Sequence, residues 1–395
     1  MKNRKVSRRG FLRLSTTIGA GAFFIPDTIA TSFSNEGSTE LNAVPVRPLG
    51  KTGIKLPILS MGVDRADSNN VLRAAYNSGI FHFDTAHDYQ KGRNEEMIGR
   101  LMEGKPRDSF FVSTKLAFEY PLSDNFEQDM LNRLDISLKR LKMDYVDIFY
   151  LHTIHVPIKL QDERIVNLVK EIKRSGKARF IGFSSHDQKP EILHAGIDVG
   201  IYDVALLSYN FKMKNMEETN AAIDRAVKAG MGIIAMKAMA GGTEDAEGKK
   251  KINAQACLKW IWQNENITTV IPGFFNFDQL DECLTAAKDP IITFSEKEYL
   301  ADIGNKEGLY CQQCGNCRTQ CPQGLPIPDI MRAYMYTYGY KHALLSKETL
   351  SPFNLPQNVC ASCDDCRVEC PSGFNVSKKI AAILPVMQIS NEFLT

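Results

Sequence analysis

The chain has 395 residues, with 44% hydrophobic and 24% charged residues, a composition ordinary for a globular protein with room for more than one domain. Its 48 basic and 46 acidic residues leave a formal charge of +2, which excludes the basic face that nucleic-acid binding needs. After the first forty or so residues no apolar stretch is long enough to span a bilayer.

The N-terminus reads MKNRKVSRRGFLR, then the mildly apolar LSTTIGAGAFFI, the layout of a secretory signal. Arg8–Arg9, with Ser7 before and Phe11–Leu12 after, has the form of a twin-arginine signal, so export to the periplasm through the twin-arginine translocase is expected. No A-x-A marks a cleavage point near Asp27–Ala30, which leaves retention as a membrane anchor open. Residues 1–45 are accordingly set aside as signal and linker.

From residue 46 to 290, short apolar runs alternate with amphipathic stretches. The strand-like runs are Ile58–Met61, Ile80–Asp84, Phe110–Thr114, Val146–Leu151, Phe180–Phe183, Val204–Ser208, Gly232–Met236 and Thr269–Ile271. Helix-like segments between them include Asp124–Leu141, Arg164–Ser175, Met216–Ala229 and Asn253–Gln263. This rhythm predicts an α/β fold, a parallel eight-stranded (β/α)8 TIM barrel, with its chemistry at the C-terminal strand ends. A doubly wound open sheet is the rival, but Met61-Gly62-Val63-Asp64 is not the glycine-rich turn it favours.

Four polar residues fall at or just after predicted strand ends: Asp84, Tyr89, Lys115 and His152. Together they suit proton delivery to a carbonyl. Lys115, held as a cation by Asp84, is expected to lower the pKa of Tyr89, so that the phenol protonates a developing alkoxide while His152 orients the carbonyl. Alone, each has a simpler structural explanation; four in series do not.

Residues 291–395 are expected to form a small, mostly α/loop domain. Cys311, Cys314, Cys317 and Cys321 precede Pro322, and Cys360, Cys363, Cys366 and Cys370 precede Pro371. Both runs read C-x-x-C-x-x-C-x-x-x-C-P, the spacing of ferredoxins with two [4Fe–4S] clusters, in which the fourth cysteine of each run serves the other cluster. That pairing puts Cys311, Cys314, Cys317 and Cys370 round one metal cluster and Cys360, Cys363, Cys366 and Cys321 round the other. Disulfides or zinc also use paired cysteines, but neither accounts for two runs each closed by proline. Cys257 and Cys283 read as small buried hydrophobes.

From about Arg47 to Ala287 the chain resembles the aldo-keto reductase superfamily. The residues that carry the resemblance are Pro48–Gly53, Asp84–Tyr89 with Glu95-Glu96, Thr114-Lys115, Leu151-His152, Ile181–Ser184 and Ile271–Gly273. With the cysteine runs, the match is to the iron–sulfur branch of that superfamily. The resemblance implies a barrel oxidoreductase that interconverts a carbonyl and an alcohol with NAD(P), using Tyr89, Lys115, Asp84 and His152. It places the nicotinamide against Ser184 and Ser185, with Tyr209 stacked on the ring and Asn210 beside it. From the residues themselves, Lys237 with the Gly241-Gly242 turn is a candidate pyrophosphate contact, a plain loop being the other reading of that turn, and the helix start near Gly273 and Asn276 offers backbone amides to a phosphate. Gly273 and Phe274 replace the Lys and Ser that hold a 2′-phosphate in NADPH-preferring members, and Gln279 replaces an Arg, which leaves NAD and NADP both open. The iron–sulfur domain implies electron transfer with a partner protein. The alternative is an electron-transfer subunit whose barrel is a non-catalytic scaffold.

Overall fold

The computed structural model describes residues 44–394, apart from 243, 245–248, 306–309, 357, 361–362 and 364–365. The twin-arginine segment lies outside the described residues. Among them, no helix is long and apolar enough to cross a membrane.

An antiparallel hairpin, β1 (Val46–Pro48) and β2 (Lys55–Pro57), precedes eight strands in one parallel sheet. These are β3 (Met61–Gly62), β4 (His82–Asp84), β5 (Phe111–Leu116), β6 (Val146–Leu151), β7 (Ala178–Ser185), β8 (Val204–Ser208), β9 (Gly232–Met236) and β10 (Thr269–Val270), neighbours in chain order. A bridge between Leu59 and Val270 closes the ring, with the Ser60 amide donating to the Val270 carbonyl at 2.9 Å and Val270 to Ile58 at 3.0 Å. Closure decides against the open sheet.

Alternation sorts each strand into two faces. Ile148, Tyr150, Val204, Leu206, Ile234 and Met236 fill the barrel interior, which the hairpin's Leu49, Ile54 and Leu56 plug from below. Phe83, Val112, Phe149, Leu151, Phe183, Ala205 and Leu207 point the other way, into the layer beneath the helices. The helix Glu163–Arg174 shows how that layer is made. Ile165, Leu168, Val169 and Ile172 form one buried stripe, Asp162 caps the first turn by accepting from the Arg164 amide at 2.9 Å, and Lys173 and Arg174 complement the last turn.

Beyond the barrel, the helix Phe294–Asn305 packs back on barrel helix Ala254–Trp262 through Leu300, Ile303, Ala256 and Cys257. By packing it therefore belongs to the barrel, although its sequence position falls within the segment read as the C-terminal domain. The cysteine-rich module is built twice over. Each run ends at a proline, passes a left-handed glycine (Gly324, φ 63°; Gly373, φ 74°) and enters a helix, Ile327–Tyr338 or Val376–Ile383. With Ala343–Leu350 these helices bury Ile330, Met331, Leu350, Ile380 and Ile383, and five of the eight cysteines pack against that core.

The module sits on the barrel mouth. Gly241, after β9, has φ 118°, and a Cβ there would enter the Tyr310 ring; a Cβ on Gly339 would lie 2.7 Å from the Gly241 carbonyl oxygen. Backbone meets backbone at this seam, in a conformation L side chains rarely adopt. Gly241→Ala is expected to cost about 1–3 kcal/mol through strain and the displaced ring, read as a lower urea midpoint.

Candidate active site and cluster sites

The parity that packs the barrel also aims its chemistry. His82 and Asp84 on β4, Ser113 and Lys115 on β5, and His152 after β6 share the inward face. Asp84 and Lys115 are almost wholly buried, and the Lys115 ammonium donates to Asp84 Oδ1 at 2.5 Å and to the Thr85 carbonyl at 2.6 Å. Asp84 Oδ2 accepts from Ser113 Oγ at 2.6 Å. Ser113 Oγ in turn lies 3.2 Å from His82 Nε2, whose other nitrogen is 3.0 Å from Ser60 Oγ. Because Ser113 donates to the carboxylate, it accepts from His82 Nε2–H, which fixes that imidazole's tautomer. Burial pushes the Asp84 carboxyl up, against the pull of Lys115.

Tyr89 stands above this pair. Its ring lies edge-on to His152 at 5.8 Å between centroids, and Lys115 Nζ is 4.9 Å from the ring centre. The structure corrects one expectation here: the Tyr89 phenol is not acidified. Burial raises its pKa well above 10, and the carboxylates Asp64, Asp84 and Asp88 add to the shift. Tyr89 therefore stays a neutral donor at ordinary pH. His152 is pushed well below 6.5, by burial first and then by Lys115, Arg332 and Lys237, so it is a neutral imidazole.

These side chains open into one cavity of about 980 Å³, large enough for a dinucleotide and a small substrate together. Its barrel wall includes Tyr89, Lys115, His152, Ser184, Lys237, Gly273 and Gln279; its roof is Asp329, Arg332, Tyr336 and Tyr340 from the module. Of the seven residues expected at the nucleotide, Ser184, Lys237 and Gly273 line this cavity. Ser185 does not, because strand parity turns it outward, where its hydroxyl donates to the carbonyls of Ile154 and Asp187. Tyr209 follows Ala205 and Leu207 on the outer face. Its ring packs on Trp260 at 5.5 Å and its hydroxyl donates to Asn220 at 2.8 Å, so it cannot stack on a ring in the cavity. Asn210 is spent on the module, donating to Gln312 Oε1 at 2.9 Å. Asn276 caps the helix Phe277–Lys288 by accepting from the Gln279 amide at 2.9 Å. A nicotinamide dinucleotide thus fits the cavity by size, with Ser184, Lys237 and Gly273 on its wall and without Ser185, Tyr209 and Asn210.

The cysteines act on one another in two groups, each including one cysteine of the other run. Cys311 feels Cys317, Cys314 and Cys370, and burial with these neighbours pushes its thiol up to about 12. Cys360 feels Cys321, Cys366 and Cys363, and a small cavity is lined by these four. Four thiols round a common space suit a 4Fe–4S cube; among the described residues none of the cysteines is in a disulfide, and no group is gathered as the ligands of a single ion would be. The first set lies toward the barrel, where it acts on the buried Lys189, while Cys366 of the second is exposed.

Comparison with known proteins agrees with this picture. Residues 53–254 match the model of the aldo/keto reductase family, and residues 310–375 match that of the 4Fe-4S dicluster domain. The chain belongs to the aldo/keto reductase family. Its relatives include L-glyceraldehyde 3-phosphate reductase of Escherichia coli K12, 28% identical across 65% of this chain and 90% of the relative, and L-galactose dehydrogenase of Arabidopsis thaliana, 25% identical across 67% and 94%. An aldo-keto reductase from Bacillus halodurans in its holo form superposes with a TM-score of 0.54 at 20% identity, covering 66% of this chain and 96% of that one, a likeness of fold. The protein is an oxidoreductase of a family that uses NAD(P)H, with an iron–sulfur domain attached.

Sequence reasoning missed His82, Ser113 and the module's Arg332. The first two were available from parity alone, since Ser113 stands two residues before Lys115. Three interior histidines, His82 and His186 buried and His152 partly so, set a pH limit. His82 is lowered to about 4, and His152 and His186 fall well below 6.5, each chiefly by burial. Unfolded, they take up protons near pH 6.5, so stability is full above that value and drains as pH falls toward 4. The thermal midpoint should be level from pH 7 to 8 and drop below pH 6.5; His82→Gln should shallow that drop, and an unchanged midpoint down to pH 4.5 would contradict it.

Proposed function

We propose that this protein interconverts a carbonyl and an alcohol with a nicotinamide cofactor, and that its module holds two 4Fe–4S clusters that exchange electrons with a partner protein. The observation that carries the reading is the buried Asp84–Lys115 pair beneath Tyr89, with His152 at its edge, at the floor of a cavity on the C-terminal side of the barrel.

When bound, the nicotinamide supplies or takes the hydride. Tyr89 gives its phenolic proton to the substrate oxygen as charge grows there, and Lys115, fixed by Asp84 and Thr85 and 4.9 Å from the ring centre, is a cation beside the phenolate this leaves. His152, neutral, donates one N–H to the same oxygen. Ser113 and His82 hold Asp84 from below. The module's roof, with Arg332, Tyr336 and Tyr340, covers part of the cavity above that floor.

When present, each cluster carries one electron at a time. The set near Lys189 faces the barrel and the set with exposed Cys366 faces outward, an order that supports passage between the cavity side and a docked partner. Export by the twin-arginine translocase, to the periplasm or retained at the membrane, rests on Arg8-Arg9 and on the need to insert clusters before transport. A second reading, an electron-transfer subunit with a scaffold barrel, draws support from Tyr209, Ser185 and Asn210 being turned away from the cavity.

Oxygen-free purification of the full chain should yield about eight irons, with sulfide to match, and binding of NADH or NADPH. Tyr89→Phe should cut turnover of aldehydes about 10²–10⁴-fold while dinucleotide affinity holds. The same iron content with neither dinucleotide bound sinks the reductase reading and leaves the scaffold. About four irons would remove the second cluster.

A further inference from the structure

The cavity holds one strong cation that the proton chemistry does not use. Arg332, on the helix Ile327–Tyr338 of the module, is 6% exposed and lines the cavity roof. Its Nη2 pairs with Asp329 Oδ1 at 2.7 Å. Its Nη1 is buried and has no hydrogen-bond partner among the described residues. A guanidinium N–H shut away from water without an acceptor costs free energy unless a ligand supplies one.

The surroundings point the same way. Lys237 lies on the same side, its ammonium 4.7 Å from the Tyr336 ring centre and 5.4 Å from that of Tyr340. The cations that act on His152 are Lys115, Arg332 and Lys237, and those that act on His186 are Arg332 and Lys237. The carboxylates Asp64, Asp84 and Asp88 act on Tyr89, on the other side of the proposed carbonyl site. The His152 side is therefore the more positive one, and Arg332 brings an unfilled donor to it. A planar guanidinium already held on one edge presents its other edge to an oxygen pair.

We infer that the substrate is an oxo- or hydroxy-carboxylate whose carboxylate is held by Arg332 while its carbonyl or hydroxyl carbon lies between Tyr89 and His152. This rests on the carbonyl–alcohol reading above and names its substrate class. It also gives the module a task in the reaction besides electron transfer: the barrel supplies the proton, and the module selects the anion.

Three acids of increasing reach, glyoxylate, succinate semialdehyde and 4-carboxybenzaldehyde, are compared with their methyl esters on the full chain with its clusters in place. Binding is measured by calorimetry and turnover with NADH and NADPH. At least one acid should bind about 30-fold or more tighter than its ester. Arg332→Met should bring the acid-to-ester ratio near one, acting on KM and Kd, and Arg332→Lys should restore part of it. Iron content and the visible cluster absorbance report that each variant is folded; where Arg332→Met is not, the Lys variant, with its point charge in place of a fork, still has to show a reduced ratio. Equal binding of acids and esters to the unaltered protein overturns the inference. So does a variant that keeps its acid preference, or one that instead loses affinity for NADH, NADPH or inorganic pyrophosphate, which would assign Arg332 to the cofactor's phosphates. Acid binding that depends on Arg332 without any turnover would leave this inference standing and sink the reductase reading.

Discussion

A chain of polar and ionic contacts across the seam between barrel and module ties the two parts of this molecule together. Arg318, next to Cys317, pairs with Asp187 after β7; His155 after β6 sits 3.5 Å from Asp187 and 3.6 Å from Asp329; Asp329 pairs with Arg332 at 2.7 Å. Asp187, Asp329 and Arg332 are buried, so none of these charges can be left alone cheaply: losing one partner of such a pair costs far more than the pair itself is worth. The chain runs from a cluster cysteine loop to the cavity roof.

The seam also explains where the cavity comes from. A barrel mouth alone is an open dish. Here the helix Ile327–Tyr338 and the backbone contact at Gly241 and Gly339 lay a lid on it, and Gln312 fastens that lid by accepting from Asn210 and donating to the Ala240 carbonyl at 3.1 Å. The lid lies over a floor whose Asp84–Lys115 pair is buried, where electrostatic effects are strongest. Asn210 and Gln312 show the exchange directly: a side chain whose position suggests a cofactor contact is used instead to hold the lid.

How much of this the sequence discloses depends on the distance over which each feature is encoded. The cysteine sets are local, because three ligands lie within seven residues and spacing alone announces them. Asp84, Lys115 and His152 are legible because each ends a strand whose parity is readable from its apolar partners. Tyr209 is a failure of the same rule left unapplied: counting by twos from Leu206, which faces inward, sends Tyr209 out to Trp260. The raised pKa of Tyr89 was out of reach, since it depends on Asp64 and Asp88 closing round a ring whose burial no local pattern reveals. Arg332 lies farthest from view. Nothing in the helix Ile327–Tyr338 tells which barrel loop it will cover, some 180 residues earlier in the chain.

That long-range origin bears on how such a protein can change its task. The proton-handling floor is written into strands whose parity cannot slip without emptying the core, so it resists change. The roof is a single helix face, carrying Arg332, Tyr336 and Tyr340, and one substitution there alters the charge a substrate meets while leaving the floor intact. In this arrangement the reaction type belongs to the barrel and the choice of substrate to the module. The module's own core, built on Ile330, Met331, Leu350, Ile380 and Ile383, holds that helix in place above the floor.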